Sequence, residues 1–394
     1  MRIMDFSLDP DLVALRKSFA DFIDREVRPR EEELSAGLSD PRPDFLPWYA
    51  AAKEIVKKSA EAGFYVAYMP SEYGGQDLPT LGMTLLVEDA AASGLRLAMA
   101  AVAPPNPAGP TPLLLQLPDH LRAQWVPPLV RGDKTMCFAL TEPDAGSDAQ
   151  SIRTSAVLDG GEWVLNGHKH YITNAGEADV AVVFAVTDAE KRAAGGITAF
   201  LVPLDDSMRG RTNWNISDSH PGELIFDNVR IPEDHVVGEV GMGFFGAMSF
   251  LNAGRAFIGA QALGLGEWAL RAASDHVKVR TAFGKPLAKF QGVSFPLAQS
   301  HADLESIRWL VYRLAWLVDS GADPLSIMGD ASVVKLQATE RAYQVADRAL
   351  QAMGGQGLMR EGPVERVLRH LRMLRVVEGA SEVQLLVISK TMGF

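Results

Sequence analysis

The sequence predicts a multi-domain fold of α and β parts: an N-terminal all-α domain, a small middle β-barrel or sandwich domain, and a C-terminal bundle of the four-helix type. Three observations carry this. Apolar residues recur at helical spacing up to about residue 135; compact β-branched runs replace them until about 236; long helical patterns then return. The domains so defined are 1–135, 136–237 and 238–394. A chain of 394 residues has room for about two or three domains.

Taken in order, Leu12, Leu15, Phe19, Phe22, Ile23 and Val27 make one apolar stripe at three- and four-residue steps. Pro29 is expected to stop that helix. A polar linker with Pro41, Pro43 and Pro47 leads to a second helix, with Gly63 as its C-cap. Gly-Gly and Pro make 69–79 a loop, and 81–92 resumes a helical pattern. Pro104, Pro105, Pro107, Pro110 and Pro112 exclude a long helix, since each removes a donor and clashes with the preceding turn. Residues 119–130 are again helical. Asp159-Gly160-Gly161 between two β-prone runs signals a hairpin. The runs 180–186 and 197–202 are apolar and β-branched, and 222–232 alternates polar with apolar. Helical patterns then cover 244–279, 293–320, 324–353, 363–374 and a last stretch after Gly379.

Composition narrows the function. A net charge of −11 argues against a nucleic-acid partner and against an anionic membrane surface. Cys137 is the one cysteine, so no intrachain disulfide forms; its apolar setting reads as a buried, inert thiol. The N-terminus shows no signal-peptide core, and no apolar run approaches the roughly 20 residues that span a bilayer. A cytoplasmic location is the expectation.

The most informative stretch is Phe138 to Asp148, FALTEPDAGSD. Pro143 stiffens this turn and Gly146 frees it, so it can present N–H groups and small hydroxyls to an anionic ligand. His168 and His170 form an H-x-H pair, but no carboxylate or cysteine is spaced to complete a metal site, and none is expected. There is no G-x-S-x-G for a serine hydrolase. The glycines of MGGQG lie at a helix end, outside the strand-turn-helix setting of a dinucleotide fingerprint.

ALTEPDAGSD resembles the first signature of the acyl-CoA dehydrogenase family. HKHYITNAG, RTAFGKPLAKFQ, QAMGGQGLMREGPVER and VEGASEVQ resemble further motifs in that family's order, over nearly the whole chain. Five in order are specific where one is weak. The resemblance implies the acyl-CoA dehydrogenase-like fold, FAD as cofactor and an acyl-CoA substrate. It implies an electron-transfer flavoprotein as electron acceptor and a homodimer or homotetramer.

By that resemblance Phe138, Leu140 and Thr141 flank the flavin ring. Gly146 and Ser147 approach the pyrophosphate, and Ser147 also meets the substrate. Tyr171, Ile172 and Thr173 cover one ring face, with Thr173 near N5; taken alone they read as an ordinary half-buried strand. Arg280, Phe283 and Gln291, with Gln351, Gly354 and Gly355, match positions that meet the FAD of a neighbouring subunit. An arginine fork suits a pyrophosphate. Ala380 and Glu382 lie where the family meets FAD. Glu378 is the candidate base for the α-proton, desolvated between Val377 and Gly379. Gly379 leaves room for the substrate, and Arg255 supports the base. Gly254 occupies the position from which a few relatives supply the base instead.

Val377 replaces a usual tyrosine, Ala380 a threonine, His370 a frequent aspartate, and His220-Pro221-Gly222 a hydroxyl-rich segment. The resemblance leaves two further readings open: a flavin oxidase or monooxygenase on the same fold, and a non-catalytic, flavin-bearing DNA-protective protein. The acidic charge and the intact Glu378 speak against the latter.

Overall fold

The computed structural model describes residues 7–36, 45–103, 109–360 and 362–394. Helix α1 (Pro10–Phe22) starts at Asp9, whose side chain accepts from the Asp11 N–H. Pro29 does not stop the helical path as expected. A π turn at Ile23–Val27 intervenes, and α2 (Arg28–Ala36) follows. Pro29 thus falls in the first turn of α2, where a missing N–H is tolerated. Helix α3 (Phe45–Glu61) ends before Gly63, which takes the left-handed φ of +80° expected of a cap. Helices α4 (Thr80–Ala92), α5 (Ala98–Val102) and α6 (Asp119–Val130) complete this part. Pro41, Pro43, Pro104, Pro105 and Pro107 lie outside the described residues. Pro112 opens a short 3-10 turn, as its fixed φ favours.

The β part holds β1 (Met136–Ala139), β2 (Ser155–Asp159), β3 (Glu162–Ile172), β4 (Val180–Val186), β5 (Ile197–Pro203), β6 (Arg209–Thr212) and β7 (Gly222–Pro232). They form one mixed sheet in the order β1-β4-β2-β3-β7-β6, with β5 on the other edge of β4. The predicted hairpin joins β2 to β3 through Gly160 and Gly161, at φ +64° and +87°. Two positive φ values in a two-residue loop require such residues. Strands β4 and β5 are buried on both faces because alternate residues serve two cores. Val180, Val182 and Phe184 pack with Trp125 and Leu129 of α6. Ala181, Val183 and Ala185 pack with Phe200, Val202 and Phe226 inside the β part.

Helix α7 (Gly243–Val279) is the axle of the molecule. Its 37 residues span about 55 Å. A small hairpin of β8 (Thr281–Ala282) and β9 (Lys285–Pro286) leads to α8 (Gln291–Asp319), α9 (Met328–Met353), α10 (Pro363–Leu374) and α11 (Ser381–Thr391). Helix α9 begins four residues later than its pattern suggests. Asp323 accepts from the Ser326 N–H and holds the chain in a turn first. Near its start α7 gives Ala247 and Phe250 to the core beneath β1. Further on it gives Ala256, Phe257 and Ala260 to a core shared with α1, α3 and α4.

Helices α4 and α7 touch closely at Gly264. A Cβ there would lie 2.3 Å from the Glu88 carbonyl oxygen and 2.8 Å from Ala91 Cβ. Gly264→Ala should therefore force the two helices apart and cost about 1–3 kcal/mol. Thermal melting of the purified protein checks this; an unchanged midpoint would contradict the packing described.

Candidate active site

The candidate base sits where α10 ends and α11 has not begun. Glu378 takes φ +53° and Gly379 +93°. Two left-handed residues in succession reverse the chain. For a glutamate that conformation is strained, and such strain collects at functional sites. A Cβ on Gly379 would lie 2.6 Å from Gln384 Nε2, so the tight turn also needs a residue without one.

Glu378 keeps partial exposure as a residue, yet its Oε2 atom is enclosed and has no hydrogen-bond partner among the described residues. Burial pushes its carboxyl up to about 7, against the opposing pull of Lys335 and then Arg255. Desolvation wins because neither cation reaches the carboxylate through a hydrogen bond. Arg255 of α7 is buried and gives Nη1 to Asn252 Oδ1 at 2.8 Å and Ser332 Oγ at 2.9 Å. Burial lowers its guanidinium to about 10, and Glu378 opposes the shift. Lys335 of α9 is fully buried and donates from Nζ to the Gly379 carbonyl at 2.8 Å. Burial brings its ammonium down to about 8. Gln384 of α11 donates to the same carbonyl at 2.8 Å. The base loop is thus pinned at one carbonyl by two helices, with two cations close to its carboxylate.

Neither Lys335 nor Gln384 had a role from sequence. Lys335 did leave a signal: it interrupts the buried stripe Ala331, Val334, Ala338 and Ala342 of α9, and a lysine there needs a partner.

The 138–148 stretch folds as expected of a rigid turn. Glu142 and Ala145 exchange backbone hydrogen bonds across it. The Glu142 carboxylate, 6 % exposed, accepts from Arg153 N at 2.6 Å, Thr154 N at 2.9 Å and Lys169 Nζ at 2.7 Å. Burial would raise this carboxyl, but Lys169 and the N–H donors hold it below its ordinary value. Lys169 also donates to the Leu140 carbonyl at 3.0 Å. Period-two alternation places Lys169 on the inward face with Trp163 and Leu165, a signal readable in the sequence.

The His170 N–H donates to the Thr141 carbonyl at 2.9 Å, so Thr141 lies beside the end of β3. Thr141 is half-buried, while Gly146, Ser147, Tyr171 and Thr173 are exposed. Tyr171 stands 65 % exposed at φ +56°. Phe138, Leu140 and Ile172 are buried. Phe138 packs on Phe184 and Phe250 at 4.8 and 5.5 Å between centroids. Ile172 joins the inner β core, because the strand alternation turns it inward.

The second set of predicted cofactor residues stands apart. Arg280, Phe283 and Gln291 are exposed at the β8–β9 hairpin, and Phe283 is 96 % exposed at φ +50°. Gln351, Gly354 and Gly355 are exposed at the end of α9, and Glu382 on α11; Ala380 is half-buried. The hairpin packs mainly on α7 and the end of α9 on α10, not on the β part. What ties the β part to the base is the 213–220 loop. Asp218 pairs with Arg369 of α10 at 2.8 Å, and Arg369 donates to the Ile216 carbonyl at 2.6 Å. His220 in that loop stacks against Trp214. His370, the replaced aspartate, is held neutral by burial at about 4.

A cavity of about 460 Å³ lies elsewhere, between Tyr68, Thr80, Leu113 and the face of α7 bearing Ser249, Phe250 and Ala253. Helical spacing puts Arg255 on a different face, and the cavity contains none of the candidate residues.

Comparison with known proteins gives the class to which this architecture belongs. Residues 9–133, 137–229 and 241–393 match family models for the acyl-CoA dehydrogenase N-terminal, middle and C-terminal domains. A 3-(aryl)acrylate reductase of Clostridium sporogenes is 36% identical over 388 residues, 96% of this chain and 97% of that protein. The structure of butyryl-CoA dehydrogenase from Megasphaera elsdenii superposes with a TM-score of 0.85 at 33% identity, over 99% of this chain and 100% of that one. A structure described as the FAD complex of PigA matches at 0.87 and 26% identity, over 99% of each. The chain belongs to the acyl-CoA dehydrogenase family, and its cofactor is FAD. No described helix is long and apolar enough to cross a membrane.

Lys335→Met should remove both the loop anchor and a cation that favours ionised Glu378. Activity should fall about 3- to 10-fold at pH 7 and be largely kept at pH 9, with flavin content unchanged. A pH–rate profile checks this. A uniform loss at all pH values would assign Lys335 a purely structural role.

Proposed function

We propose that the chain converts an acyl-CoA thioester to a trans-2-enoyl-CoA, with Glu378 removing the α-proton. The single observation that carries this is the enclosed, unpartnered Glu378 oxygen near two cations. A carboxyl near 7 is a base matched to neutral pH. It would form no bond to the buried cations that must first be broken. Bound FAD supplies the acceptor for the β-hydrogen and its electron pair. The strained turn at 378–379 would aim the backbone N–H of Glu378 at the thioester carbonyl, which an α-proton needs for acidity.

The residues present suit FAD. Thr141, half-buried, and Ser147 and Thr173, both exposed, offer hydroxyls, and space is open about Gly146. Exposed Tyr171 offers a planar face, with Phe138, Leu140 and Ile172 as the floor beneath. Ser147 and Gly379 would border the substrate. Arg280, Phe283, Gln291, Gln351, Gly354 and Gly355, all exposed, would serve the FAD of a second copy; Ala380 would also border FAD, and Glu382 its adenine region. A largely bare phenylalanine held in a left-handed conformation supports an assembled homodimer or homotetramer. An electron-transfer flavoprotein would take the electrons onward.

Glu378→Gln should keep the yellow flavin yet slow its bleaching by acyl-CoA at least 10²- to 10⁴-fold in stopped flow. Bleaching at the wild-type rate would reject the assignment. In the wild type kcat/KM should rise with pH through about 7, since the free base must be ionised. A profile flat from pH 6 to 8 would contradict it. Slow reoxidation of the bleached enzyme in air separates a dehydrogenase from an oxidase.

A further inference from the structure

The outer face of the β part carries a second cluster of titratable groups. Trp163, Leu165 and Lys169 of β3 face inward, so His168 and His170 face outward. Pairing of β3 with β7 is irregular between Lys169 and Ile172. Such a bulge re-aims side chains. Here it sets Glu223 of β7 against both imidazoles. Glu223 Oε1 lies 3.1 Å from His170 Nδ1, and Oε2 lies 3.5 Å from His168 Nε2. The three groups' ligand atoms all fall within 4.8 Å of one another. The rings stand at 83° to each other.

A simple ion pair explains this poorly. Both nitrogens are enclosed, and neither has a hydrogen-bond partner among the described residues. At 3.1 Å the distance would suffice, so the alignment is what fails. We propose that His168, His170 and Glu223 hold a divalent transition-metal ion, best matched by zinc. Bonds of about 2.0–2.2 Å in a tetrahedron separate neighbouring ligands by roughly 3.3 Å, close to the two His–Glu distances, with the imidazole nitrogens within 4.8 Å of each other. Two imidazoles and one carboxylate suit zinc and its neighbours, whereas magnesium and calcium take all-oxygen sets.

The backbone prepares the site. All three ligands stand on paired strands, so little order is lost on binding. A Cβ on Gly210 of β6 would lie 2.9 Å from Glu223 Oε2, so the glycine keeps room for the carboxylate. The His168 side chain is 41 % exposed, so the cluster lies close to solvent although its ligand nitrogens are enclosed. No spacing rule reveals Glu223, which comes from a strand more than 50 residues away in the sequence. The ion would clamp β3 to β7 immediately before Tyr171.

The test uses the FAD-loaded protein, treated with a chelator, desalted and titrated with zinc chloride against a chromophoric zinc indicator. A single tight equivalent per chain is expected. His168→Asn and Glu223→Gln should each weaken it by more than about tenfold. His301→Asn, at an exposed histidine outside the cluster, should leave it unchanged. Zinc should also raise the melting temperature of the wild type and not of the two ligand variants. A wild type that takes up no zinc overturns the proposal, as do ligand variants that load as tightly as the wild type. His168 is the more exposed ligand, so its variant keeps the test decisive if Glu223→Gln fails to fold; flavin absorbance and circular dichroism report folding.

Discussion

Burying the Glu378 carboxylate costs free energy that its surroundings must offset. Taken out of water, a carboxyl protonates unless positive charge is near. Arg255 and Lys335 supply that charge, but without a direct bond to it. The result is a group near 7, neither locked as a salt bridge nor permanently neutral. A closer cation would give a stronger acid and a useless base. A more distant one would leave the carboxyl protonated at neutral pH.

Holding that balance requires helices that do not move. Arg255 comes from α7 and Lys335 from α9, and the two helices meet closely: a Cβ on Gly259 would lie 2.9 Å from Val334 Cγ1. Arg255 reaches across this contact to Ser332 of α9. Lys335 and Gln384 converge on one carbonyl, that of Gly379. The left-handed conformation of Glu378 persists because these bonds and the packing over-determine it.

The same logic holds the 138–148 turn on the other side. Glu142 takes three donors, so the exposed hydroxyls and open glycine stand on a rigid base rather than a floppy loop. Phe138 connects this turn to α7 through Phe250. The Asp218–Arg369 pair connects the β part to α10 just ahead of Glu378. The base and the turn are therefore registered to each other through packed and charged contacts between the β part and the C-terminal helices.

Much of this was legible in the residues themselves. Periodicity, paired glycines and prolines determine where helices, strands and the β2–β3 hairpin fall, because these are local properties of a few neighbouring residues. The motif order pointed to Glu378, Arg255 and the 138–148 turn. Burial in two directions is not local. It carried the helix past Pro29 through a π turn and brought Lys335 of α9 to the Gly379 carbonyl. The pairing of Glu223 with His168 and His170 likewise needed two strands brought together across a bulge. Tertiary structure alone decided these, since desolvation and charge proximity depend on distances in space that residue spacing does not contain.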